Sequence, residues 1–159
     1  NHEKWKQLYK DPADPALFRE WLLRIHDEDI GPYTNSKGGH QMGVLSRSYV
    51  SLFWHPDHKE RALQNIGSID EARHLDNELC YIDHFLRTEN LEDELATFLV
   101  DTLEYDLNKK EKGICKKTKT NSSSRKRDIG YYYDQTTKSL VKRKDSLVTR
   151  KFDYEPPTI

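Results

Sequence analysis

Apolar positions recur at helical spacing in several stretches of this chain. Phe18, Trp21, Leu22 and Ile25 fall on one helical face, and Asp14-Pro15 just ahead of them has the form of an N-cap followed by a proline at the first helical position. The most regular stripe is Ala72, Leu75, Leu79, Ile82 and Leu86, in steps of 3, 4, 3 and 4 residues. It follows Ser68-Ile69-Asp70-Glu71, a capping box in which hydroxyl and carboxylate satisfy free backbone N–H groups. Leu91, Leu95, Phe98, Leu99, Thr102 and Leu103 continue a helical face behind a second cap, Asn90 with Asp93, so residues 68–109 predict a helical hairpin with acidic outer faces. Tyr49, Val50, Leu52, Phe53 and Trp54 fit either a buried strand or a helix stopped by Pro56.

Between these stretches, residues 27–43 (DEDIGPYTNSKGGHQMG) carry four glycines and a proline and read as a long loop. After Asn108 the pattern changes. KKEKGICKKTKTNSSSRKR has little to bury and reads as a basic linker, whereas Tyr131–Tyr133, Leu140-Val141 and Leu147-Val148-Thr149 are β-formers separated by turn residues such as Asp134. The proline-rich end from Tyr154 reads as an extended arm. The expected fold class is therefore α+β: a mainly helical body over 1–112, and a smaller, basic, β-hairpin-like part over 113–159, in one folding unit.

Charge sharpens this division. Asn1 to Asn108 holds 11 Lys+Arg against 21 Asp+Glu, about −10, whereas Lys109 to Ile159 holds 15 against 6, about +9; the whole chain of 159 residues nets only −1. With 35% hydrophobic and 33% charged residues the core is adequate but not large. No apolar run approaches the roughly 18 residues that span a bilayer, and the first 25 residues lack the apolar stretch of a secretory signal. The two cysteines, Cys80 and Cys115, sit in unlike settings, which argues against a disulfide framework and for an intracellular location, cytoplasm or nucleus. The absence of an initiating Met points to a piece of a longer protein.

The cations come in clusters: Lys116, Lys117 and Lys119; Arg125, Lys126 and Arg127; Lys142, Arg143 and Lys144; Arg150 and Lys151, with Tyr131, Tyr132 and Tyr133 between them. Lysine and arginine neutralise phosphates and release counterions, while tyrosine rings offer stacking surfaces to unpaired bases. Candidate nucleic-acid contacts are thus Lys116, Lys117, Arg125, Lys126, Arg127, Tyr132, Lys142 and Arg143. The plainer readings are a nuclear-import signal at 116–127, a solvated linker, or an arm that folds back onto the chain's own acidic helices.

A second candidate site is metallic. His55 and His58 flank Pro56-Asp57, and Cys80 and His84 stand i, i+4 within the expected long helix, which together form the His3Cys donor set of a tetrahedral zinc site. Against this stand a core role for Cys80 and a surface role for histidines, of which the chain has seven.

Within the long loop, Gly38-Gly39-His40-Gln41 with Gly43 two places on, followed by Val44-Leu45 and preceded by the Trp21-Leu22-Leu23 helix, resembles the B3-like DNA-recognition domain of EcoRII-type restriction endonucleases over about 35 residues. The resemblance implies a β pseudobarrel whose arms enter the DNA groove, with Lys37, His40 and Gln41 in or beside one arm. Glycines let backbone approach phosphate, and His and Gln can read base edges. The helical pattern of 68–109 departs from that barrel.

Walker A, Gly-x-Gly-x-x-Gly, His-Glu-x-x-His and Gly-x-Ser-x-Gly signatures are absent. Asp57-His58-Lys59 with Asp27, Glu28 and Asp29 offers carboxylates for Mg²⁺, but such triplets arise readily in so charged a chain. The sequence thus points to a non-catalytic nucleic-acid-binding module, DNA before RNA, with zinc as its candidate cofactor. A protein-interaction module of a larger assembly, acting through the acidic helices, and a metal-dependent nuclease are the alternatives.

Overall fold

A computed structural model of the chain describes residues 2–27, 40–115 and 127–155. Lys37, Lys116, Lys117, Arg125 and Lys126, with Glu28 and Asp29, lie outside the described residues. The chain divides into two compact units, one of Asn1–Tyr81 with Arg125–Ile159 and one of Ile82–Ser124.

The first unit is helical. It contains α1 (His2–Leu8), α2 (Pro15–Ile25), α3 (Val44–Phe53), α4 (Pro56–Asn65), α5 (Ile69–Leu79), a 3₁₀ turn (Ile129–Tyr132), α8 (Gln135–Lys144) and α9 (Ser146–Lys151). The second contains a 3₁₀ turn (Thr88–Asn90), α6 (Leu91–Thr97), a π-helical turn (Phe98–Thr102) and α7 (Lys109–Cys115). The expected β-hairpin part is overturned, because no strand occurs among the described residues and Leu140-Val141 and Leu147–Thr149 lie in α8 and α9. Their β-formers are apolar faces of short helices, which burial rather than propensity decides.

Several helix starts follow the sequence closely. The Asp14 carboxylate accepts from the Ala16 N–H at 2.8 Å with Pro15 at the first helical position. Ser68 Oγ accepts from the Glu71 N–H at 3.1 Å, although Glu71 reaches one residue further back and accepts from the Gly67 N–H at 2.7 Å. At Asn90 the helix starts as expected, yet the side chain forms no cap; Glu94 accepts from the Arg87 N–H instead. The ambiguous segment before Pro56 is helical: α3 ends at Phe53, and Pro56 opens α4.

The long helix expected across 68–86 stops at Leu79. Cys80 turns to extended backbone and pairs with Trp54 in an antiparallel bridge, in which the His55 N–H donates to the Leu79 carbonyl and the Tyr81 N–H to the Phe53 carbonyl. The bridge satisfies backbone groups that the helix end leaves open. The core of this unit is Trp54, Val50, Met42, Ile66, Ala72, Leu22, Tyr49, Leu147 and Leu8. The C-terminal helices are central to it: α9 packs on α3, α5 and α8, and α2 packs on α1, α8 and the 3₁₀ turn at Ile129–Tyr132.

In the second unit Asn108 caps α7 by accepting from the Lys110 and Glu111 N–H groups, and Glu111 accepts from the Asn108 N–H and the Tyr105 hydroxyl. Leu107 is buried there.

Candidate nucleic-acid interface

The interface is built on α8. Asp134 is its N-cap, accepting from the Thr137 N–H at 2.8 Å while Thr137 Oγ1 accepts from the Asp134 N–H at 3.0 Å, a capping box with threonine in place of the usual glutamate. These bonds, with Arg19 nearby, hold the Asp134 carboxyl below its usual range. The helix sequence QTTKSLVKRK contains no carboxylate. Thr137 and Lys144 turn inward, and at 100° per residue Lys138, Lys142 and Arg143 share the opposite arc. Lys142 and Arg143 are exposed, Lys138 is half-buried, and no ion pair joins any of the three to another described residue.

Two neighbouring cations are consumed structurally. Lys144 donates to the His40 carbonyl, and Lys151 donates to Asp76 Oδ2 at 2.6 Å. Their contribution to an outward cationic surface, expected from the clusters Lys142–Lys144 and Arg150-Lys151, is therefore reduced. Burial, then Lys144 and Arg143, press the His26 imidazole down to about 4 from its usual 6.5.

Ahead of α8, Arg19 fixes the tyrosine segment by donating to the carbonyls of Tyr131, Tyr132 and Tyr133 at 3.1 to 3.2 Å, and it stands 3.8 Å from the Asp134 carboxylate. Tyr132, expected as a stacking surface, is buried with its ring edge-on to Phe18 at 5.8 Å. The exposed ring is Tyr131, covered on one side by Arg127 at 5.3 Å from its centroid. Pro12, Phe18, Ile129, Tyr132 and Tyr133 line a cavity of about 360 Å³ beside this pair. Sequence reasoning missed Lys138 and this cavity; Phe18 was legible only as one residue of an apolar stripe.

His40 and Gln41 are helical and half-buried, and the His40 carbonyl is engaged by Lys144. Both stand where the chain enters α3, next to the C-terminal end of α8.

Cys80 and His84, expected i, i+4 on one helix, do not share one, because the helix ends at Leu79. His55 is the N-cap of α4, accepting from the Asp57 N–H, and the rings of His55 and His58 are 5.5 Å apart. Cys80 lies past the end of α5, where its sulfur accepts from the Tyr49 hydroxyl at 3.1 Å. Burial, and after it that bond, raises the Tyr49 hydroxyl far above its usual range. His84 belongs to the second unit, packed against Phe98 at 5.1 Å. Among the described residues no group of three or more His, Cys, Asp or Glu side chains is arranged to hold a metal ion. Asp57 is exposed and Lys59 donates to the Ser51 carbonyl at 2.9 Å.

Among the described residues no helix is long and apolar enough to cross a membrane. No family model, curated protein or solved structure matches this chain.

Proposed function

We propose that this chain is a non-catalytic nucleic-acid-binding module whose phosphate contacts come from the outward face of α8, joined by Arg127. The observation that carries the reading is the carboxylate-free arc of Lys138, Lys142 and Arg143, left without ion pairs to any other described residue. Cations not matched by the protein's own carboxylates are available to a polyanion, and each phosphate neutralised releases counterions. The basic run from Lys116 to Arg127 leads in sequence directly to the tyrosine segment, which extends the same cationic character.

The test is a salt titration of binding to DNA and RNA oligonucleotides by fluorescence anisotropy. Affinity falls steeply with salt, and replacing Lys138, Lys142 and Arg143 by alanine lowers the log–log slope by about 1 per residue. Absence of binding to either polymer at low salt rejects the reading.

A second reading rests on the other unit, where Leu91, Val100, Leu103 and Tyr105 are exposed among Glu92, Asp93, Glu94, Asp101 and Glu104. Apolar exposure beside carboxylates suits a protein partner carrying basic and apolar residues. Charge reversal at Glu92 and Asp93 weakens such a complex and leaves oligonucleotide binding unchanged.

A further inference from the structure

We infer that the cavity lined by Pro12, Phe18, Ile129, Tyr132 and Tyr133 receives one unpaired base, so that the module selects single strands over duplex; this rests on the nucleic-acid reading above. The cavity measures about 360 Å³, within the usual range of small-ligand pockets, and three of its five lining residues are aromatic. Phe18 meets Tyr132 and Tyr133 edge-on at 5.8 and 5.2 Å with interplanar angles of 70° and 74°, so the walls stand at steep angles to one another. Arg19 fixes the backbone that carries Tyr132 and Tyr133 through three carbonyls, which favours a cavity formed without a ligand.

The uncharged lining favours a neutral ring over a phosphate. Pro12, Phe18, Ile129, Tyr132 and Tyr133 bring no charge to the walls, and no cation lines the cavity among the described residues. Phosphates have their partner in Arg127, held over Tyr131. Ile129 is 46% exposed, so an apolar surface is open to water here and gains from a ring that covers it. A base within a duplex has its faces already stacked and cannot enter without unpairing.

The experiment uses the full chain and three probes of equal length: an oligothymidine, the same backbone carrying tetrahydrofuran abasic sites throughout, and a duplex. The oligothymidine binds about tenfold more tightly than the abasic strand, and more tightly than the duplex. In Phe18→Leu, which keeps an apolar wall but removes the ring, the ratio between oligothymidine and abasic strand collapses toward one. Should that variant fail to fold, the comparison of probes on the unaltered protein decides alone. Equal affinity for the base-bearing and abasic strands overturns the base pocket, and salt-dependent binding of both would leave the phosphate reading intact. No binding by any probe at low salt overturns both.

Discussion

The Asp145 carboxylate takes the place of a side chain that Gly43 lacks. Gly43 is the N-cap of α3 and has no side chain to cap it; Asp145, between α8 and α9, reaches in and accepts from the Ser46 N–H at 2.8 Å. The Gly43 N–H in turn donates to the Lys144 carbonyl at 2.7 Å. A Cβ at residue 43 would overlap the Asp145 carboxylate, while the backbone φ of −75° is open to any residue. Glycine is required here by space alone. Burial raises the Asp145 carboxyl above its usual range, and the N–H groups of Ser46 and Leu45 only partly offset this.

Gly43→Ala is therefore expected to cost about 1 to 3 kcal/mol through overpacking. Asp145→Ala is expected to cost about 1 to 2 kcal/mol through the lost cap. Because Gly43→Ala creates the overlap and Asp145→Ala removes the group it strikes, the double variant loses clearly less than the sum. Denaturant titration of the four proteins measures this coupling, and strict additivity would contradict the steric account.

Asp76 is buried between two donors, the Trp54 indole N–H at 2.7 Å and the Lys151 ammonium at 2.6 Å. Asp76→Ala leaves a fully buried indole N–H and a partly exposed ammonium without their acceptor, at an expected cost of about 3 kcal/mol. Lys151→Met, which keeps the aliphatic stem while removing the ammonium over the Tyr49 ring, costs less. Equal losses from the two substitutions in thermal or chemical melts would show that the indole bond contributes nothing.

His26 ends α2, a position where the helix dipole ordinarily favours a protonated imidazole. Burial, with Lys144 and Arg143, reverses that preference and sets its pKa at about 4. The unfolded chain thus binds a proton near pH 6.5 that the folded chain refuses until about pH 4. The associated stability is complete above 6.5 and is lost as pH falls from there to 4. His26→Gln flattens this part of the stability profile; the difference between variant and parent melting temperatures across pH 7 to 4 isolates it from Asp145, whose raised pKa acts in the opposite sense.

Asp153 follows the end of α9 with φ 53°, in the left-handed region, and the Tyr154 N–H donates to the Thr149 carbonyl at 2.8 Å, the bond pattern of a Schellman ending. Asp153→Gly relieves that conformation and is expected to raise stability by about 0.5 to 1 kcal/mol. A lowered melting temperature would mean that the aspartate has a compensating role.

Local chemistry was readable wherever it was sufficient. Asp14-Pro15 and Ser68 with Glu71 set helix starts through bonds spanning a few residues, and an observer of the sequence can write those bonds down. Asp134 with Thr137 has the same form but was obscured, since threonine at the third position and the surrounding β-formers speak for a turn between strands. The candidate contact residues divide in the same way: Lys142 and Arg143 are exposed, whereas nothing local distinguishes Lys144, which turns inward to His40, or Tyr132, which is covered by Phe18.

By itself the sequence determined the helix caps, the amphipathic faces and the surplus of cations after residue 108, because each depends on neighbours along the chain. Tertiary structure alone decided that the helix beginning at Ile69 ends at Leu79, since the apolar stripe runs on to Leu86 and only the bridge to Trp54 interrupts it. It also decided that residues 125–159 belong to the same compact unit as residues 1–81, and residues 82–124 to another. The physical reason is distance in sequence: Asp145 caps a helix 99 residues earlier, Lys151 pairs 75 residues back, and Arg19 holds carbonyls more than a hundred residues ahead. Contacts of that span leave no periodicity to read.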